Sequence, residues 1–199
     1  MLGSGELTQR RGRRGGKDTG AQTAQEPCRK QGSDIVGQEE QHCARGRGEH
    51  GGQCLDRYAS IYGAQYEEAL AAHPGDPVRA VEAFFDVILG RIADPSVPVG
   101  CLIAQSAAQS PTLKEENSTQ VRGLLDTQRQ RVHAALADSS ADTRTLDELA
   151  TFVVAVNQSL AVLSRAGASD AELRSVARLA CTTVADTLAR AASEHVAQG

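Results

Sequence analysis

From Leu55 onward the apolar residues recur at three- and four-residue steps with almost no strand alternation, which commits this part of the chain to amphipathic helices. Leu55, Tyr58, Ala59, Tyr62, Tyr66, Ala69 and Leu70 share one face of a helix that ends before Pro74-Gly75. Asp76-Pro77 starts the next, with Asp as N-cap and Pro at the first helical position, where its missing N–H costs nothing. Val81, Phe84, Phe85, Ile88, Leu89 and Ile92 form its stripe, and Asp94-Pro95 breaks it. A short helix is predicted over 100–108, and a longer one over 115–136 with Val121, Leu124, Leu125, Val132 and Leu136 inward. Thr145–Glu148 and Ser169–Glu172 read as capping boxes opening the last two helices, with Gly167 between them as a left-handed stop. The fold class expected is all-α, a bundle of about six helices over residues 55–199.

Composition changes sharply at the start of that pattern. Residues 1–54 hold 12 of the 19 glycines, three of the five cysteines and no aromatic residue. They carry nine basic against seven acidic side chains, while the remainder carries twelve against eighteen. A Gly-rich, polar segment without periodic apolar residues cannot offset its ordering entropy by burial, so a disordered N-terminal tail is expected over 1–54. The remaining residues are numerous enough to form one domain. No uninterrupted run of 18 apolar residues occurs, and no apolar stretch follows the basic start. A cytoplasmic protein with reduced cysteines and no membrane partner is therefore expected.

Motifs that resemble chemistry lack their context. Gly46-Arg-Gly48-Glu-His-Gly51 matches the dinucleotide-binding glycine pattern, but neither the preceding strand nor the βαβ unit is present to place a pyrophosphate. Cys28, His42, Cys43, His50 and Cys54 include no tight Cys-Cys knuckle of the kind structural zinc sites use, so no metal is expected. Arg10-Arg11-Gly-Arg13-Arg14 could touch phosphates, yet no aromatic residue accompanies it to stack on bases. His73, His133 and His195 have no neighbouring nucleophile motif, so neither an enzyme nor a cofactor is expected.

More informative are polar residues inside apolar helices. Asn157-Gln158-Ser159 interrupts the run from Phe152 to Leu163, and Gln105 follows Leu102-Ile103. A buried amide left without partners costs roughly 1–3 kcal/mol. Such amides either bond internally or at an interface, or they face a ligand in an otherwise apolar pocket.

Several segments together resemble the C-terminal regulatory domain of the tetracycline-repressor (TetR/AcrR) family. They are Leu55-Asp-Arg-Tyr58, Val81-Glu-Ala-Phe84-Phe85, Gly100-Cys-Leu-Ile103, Thr151-Phe-Val-Val-Ala-Val-Asn157-Gln-Ser-Leu160, and Leu160 to Gly167 before a final long helix. The resemblance covers about residues 53–199. It implies an effector-binding domain that dimerises through its last two helices, and a helix-turn-helix in the preceding 50 or so residues. Residues 1–54 have the length of such a DNA reader without its apolar triad or aromatic residues. DNA binding, though expected of the family, is therefore not expected of this chain. The segment reads either as an out-of-frame translation, the preferred account, or as a natural variant that lost its reader.

Two functions stay open at this point: a ligand-sensing, dimerising regulator domain, or a helical dimerisation module without a ligand. For the first, Tyr62, Phe85, Ile88, Gln105, Gln128 and Asn157 are the expected lining of one mostly apolar cavity. A small neutral or weakly polar organic effector is expected there, since no Arg or Lys is expected within these apolar faces. For the homodimer contact, Leu160, Leu163, Val184 and Leu188 are the expected apolar centre.

Overall fold

The computed structural model describes residues 51–97 and 99–198, and among these every regular element is helical. The elements are α1 (Gly51–Ala71), α2 (Pro77–Ala93), α3 (Leu102–Ala108), α4 (Glu115–Leu136), α5 (Thr143–Arg165) and α6 (Asp170–Gln198). A single 3₁₀ turn, Ser110–Thr112, joins α3 to α4. The expected all-α bundle of six helices is the fold found. The disorder expected of the tail lies outside the described residues over 1–50.

Helix boundaries follow local chemistry. The Asp76 carboxylate accepts a hydrogen bond from the Arg79 N–H at 3.0 Å and caps α2, with Pro77 in the first turn. At α6 the Ser169 hydroxyl accepts from the Glu172 N–H at 3.3 Å and the Glu172 carboxylate accepts from the Ser169 N–H at 2.8 Å, a complete reciprocal box. Gly167 closes α5 at φ 91°.

Three boundaries differ from the sequence expectation. The cap of α5 is Asp142, whose carboxylate accepts from the Thr145 N–H at 2.8 Å. Glu148 pairs instead with Arg144 at 3.0 Å, so no box forms at Thr145. The short helix begins at Leu102, because Gly100 takes φ 109° and cannot be helical. Helix α1 begins at Gly51, ahead of Leu55, within the segment expected to be tail. Its first turn is held by α4, where the Gln120 amide donates to the Gly52 carbonyl at 3.0 Å and to the Asp56 carboxylate at 2.7 Å. Two glycines are poor helix formers, and here tertiary contact overrides propensity.

The core is organised around α2, which packs against α1, α4, α5 and α6. Val81, Phe84, Phe85 and Ile88 on this helix are buried almost completely. Tyr66 meets Phe84 edge-on at 5.4 Å, and Phe84 meets Phe85 at 5.5 Å. Such pairs contribute about 0.5–1.5 kcal/mol beyond the area they bury.

By length and composition alone, α5 could cross a membrane. In the fold it is a core helix between α4 and α6, with Leu149, Ala150, Val153 and Leu160 on its buried face. Asn157 lies on that same face.

Candidate functional site

One end of α2 carries the most unusual group of the core. Arg91 lies three residues after Ile88 and seven after Phe84, on the same helical stripe, and its position buries it to 7% exposure. Its guanidinium carbon stands 4.9 Å from the centroid of the Tyr62 ring and 5.8 Å from that of Tyr58. The two rings themselves are 4.6 Å apart. Nη1 donates to the Gly100 carbonyl at 3.1 Å, while Nε has no partner. The Tyr58 hydroxyl, also buried, has no hydrogen-bond partner either.

The electrostatics of this group are unbalanced. Arg91 stays charged at any pH a folded protein meets. Among the described residues no carboxylate pairs with it. Burial pushes the Tyr58 and Tyr66 phenols up, so neither supplies a countercharge at neutral pH. Taking a cation out of water costs several kcal/mol, which ring faces, one carbonyl and the Tyr66 hydroxyl, all neutral, offset only in part.

A second buried polar cluster joins α4 to α5. The Gln158 amide donates to the Gln128 side-chain oxygen at 3.2 Å, and the Gln158 oxygen is buried without a partner. Gln128 and Asn157 are both buried, and Gln105 is half-buried on α3.

The expected lining residues thus divide between places. Tyr62 belongs to the Arg91 cluster, and Phe85 and Ile88 belong to the aromatic core. Gln128 belongs to the α4–α5 pair, while Gln105 approaches Gly100, with its amide nitrogen 3.2 Å from where a Gly100 Cβ would sit. The reading that the apolar faces hold no Arg or Lys is corrected, since Arg91 lies within them. Its signal was present in the spacing, as a cation occupying the next position of an apolar stripe. A hollow of about 480 Å³ on α6, lined by Asp186, Ala189, Arg190, Ser193 and Glu194, is open to solvent and bounded by this one helix.

The expected dimer residues also divide. Leu160, Val184 and Leu188 are buried within the chain's own core and so present no surface to a second copy. Leu163 is 38% exposed. Apart from Val196 near the end of α6, the most exposed large apolar side chains of these two helices are Val162, at 58% in the last turn of α5, and Leu179, at 62% in α6. Among the described residues no group of His, Cys, Asp and Glu is arranged to hold a metal. Among the described residues, Cys101 and Cys181 are free thiols, in the reduced state expected of them.

Gly100 ties the arginine cluster to the outside of the bundle. The Arg165 guanidinium donates to the Val99 carbonyl at 3.2 Å, so arginines from α2 and α5 hold successive carbonyls. A Cβ on Gly100 would stand 2.5 Å from the Arg165 Cδ, in a left-handed backbone that disfavours any side chain. Gly100→Ala is expected to destabilise the fold by about 1–3 kcal/mol. Chemical denaturation measures this, and an unchanged midpoint would mean that the turn relaxes freely.

Residues 77–179, from the start of α2 to the middle of α6, match the family model described as transcriptional regulator LmrA/YxaF-like, C-terminal domain, of the TetR class. The chain belongs to this family. Among solved structures, a TetR transcriptional regulator from Chloroflexus aurantiacus J-10-FL is similar, with a TM-score of 0.55 and 22% sequence identity. The likeness covers 66% of this chain and 69% of that one, and it supports the TetR-like fold. No curated protein matches in sequence. The family match begins with α2, so the Tyr58 and Tyr62 walls of the arginine cluster lie on α1, ahead of the matched segment.

Proposed function

We propose that this TetR-type regulator chain acts in the cytoplasm as a ligand-sensing, dimerising domain. The observation that carries the ligand is the set of buried polar atoms without partners, namely Arg91 Nε, Tyr58 Oη and Gln158 Oε1. Buried polar groups in native folds are nearly always satisfied, and an orphan inside an otherwise packed core calls for an explanation. An effector that inserts beside Arg91 and Tyr58 supplies partners there, whereas the Gln158 oxygen belongs to the separate α4–α5 pair. Binding then shifts the population between two arrangements of the domain in proportion to its differential affinity for them.

The dimer rests on Val162 and Leu179, which the fold leaves exposed on its last two helices. Residues 1–50 contain no periodic apolar stripe from which a helix-turn-helix could be built, so operator binding is not ascribed to this chain. Its proposed role is to sense and to pair, either with itself or with a copy that carries a reader. The ligand-free alternative keeps the same dimer face and differs only in the core.

Thermal unfolding across a library of small organic compounds separates the two. A ligand present at a hundred times its Kd adds about 2.7 kcal/mol, a rise of several degrees in Tm. A dimer that no compound stabilises would reduce the function to pairing alone.

A further inference from the structure

We propose that the effector is a small organic anion whose carboxylate is taken up by Arg91 in the tyrosine-walled end of the core. This deepens the ligand-sensing reading and rests on it. A buried guanidinium with no carboxylate beside it is a site lacking its countercharge, and a ligand carboxylate supplies that charge with matching planar geometry. The Arg91 Nε lies buried and unpartnered over the Tyr58 and Tyr62 rings, and the buried Tyr58 hydroxyl has only the weak contact of the Cys101 thiol. A carboxylate admitted beside Arg91 accepts from Nε. Burial keeps the Tyr58 phenol protonated and able to donate.

The surroundings select further. Tyr58 and Tyr62 present ring faces, and Leu55, Cys101 and Leu102 continue the same buried cluster, so the remainder of the ligand is apolar. A phosphate or sugar phosphate has too much polar surface for such walls. Short fatty acids and simple aromatic acids have the required division into one charged head and an apolar body.

Intrinsic fluorescence gives a direct readout, because the chain has no Trp and three Tyr, residues 58, 62 and 66, all beside Arg91. Hexanoate and octanoate, each compared with its amide, are titrated into the full chain and followed by tyrosine emission. Benzoate and benzamide are compared by thermal unfolding. Each acid is expected to bind at least roughly tenfold more tightly than its amide, the margin set by hydrogen bonds to charged groups. In Arg91→Met the preference is expected to vanish, since the cation that distinguishes acid from amide is gone.

Should Arg91→Met fail to fold, Tyr58→Phe carries the test. It removes only the buried hydroxyl and is expected to weaken the acids several-fold. Amides that bind as well as acids would overturn the anion and leave an effector site standing. No response to any of these acids at millimolar concentration, or an acid preference that survives Arg91→Met, would overturn it as well. The sensing reading itself is decided by the wider library.

Discussion

Phe84→Ala is expected to remove about 3–5 kcal/mol of folding stability. Phe84 is fully buried at the middle of α2, the helix that touches four others. Its ring meets Tyr66 and Phe85 edge-on, so truncation opens a cavity and breaks two aromatic pairs together. Neither neighbour can collapse into the space easily, since both are held in buried positions of their own. Domains of this size have about 5–15 kcal/mol in total, so the variant stands near the unfolding threshold. Urea titration should show a large fall in midpoint with an unchanged slope. A loss under about 1 kcal/mol would mean that α2 is not the centre of the core.

The double substitution Val162→Glu with Leu179→Glu is expected to convert the proposed dimer to monomers that remain folded. Both side chains are exposed in the protomer, so each change should alter protomer stability by no more than about 0.5 kcal/mol. In a contact between copies, the same charges are buried without partners at a cost of several kcal/mol, and pairing weakens by roughly a hundredfold or more. Sedimentation reads the mass and circular dichroism reads the fold. Leu188→Glu provides the contrast, because Leu188 is buried within one chain and a charge there should unfold it. A double variant that sediments as the wild type would place the contact on another face.

Helices were legible because their signals are local. The period of apolar residues, Pro77 behind Asp76, and the Ser169–Glu172 pair each act within one turn, and each is found where it was expected. The cap at Asp142 was missed because Thr145, a turn later, offers an equally good oxygen and a Glu in the right place. Periodicity also states that a face is covered without stating by what. Leu160, Val184 and Leu188 satisfy the pattern of an interface, but α2 and its neighbours cover them within the chain. Val162 and Leu179 fall off the main stripes and are left outside. Arg91 was overlooked for a related reason. A stripe is read by following its apolar members, and a charge in register with them is passed over as the edge of the pattern.

The turn at Val99 and Gly100 has a mechanical consequence. Two successive carbonyls are held by two arginines, one rooted in the core and the other at the end of α5. Gly100 has no side chain to brace the backbone between them, and its conformation is open only to glycine. Whatever draws Arg91 toward the interior loosens one grip and changes the load on the other. Arg165 closes the helix whose last turn carries Val162 and Leu163, so the turn joins the arginine in the core to the exposed end of α5 by two hydrogen bonds.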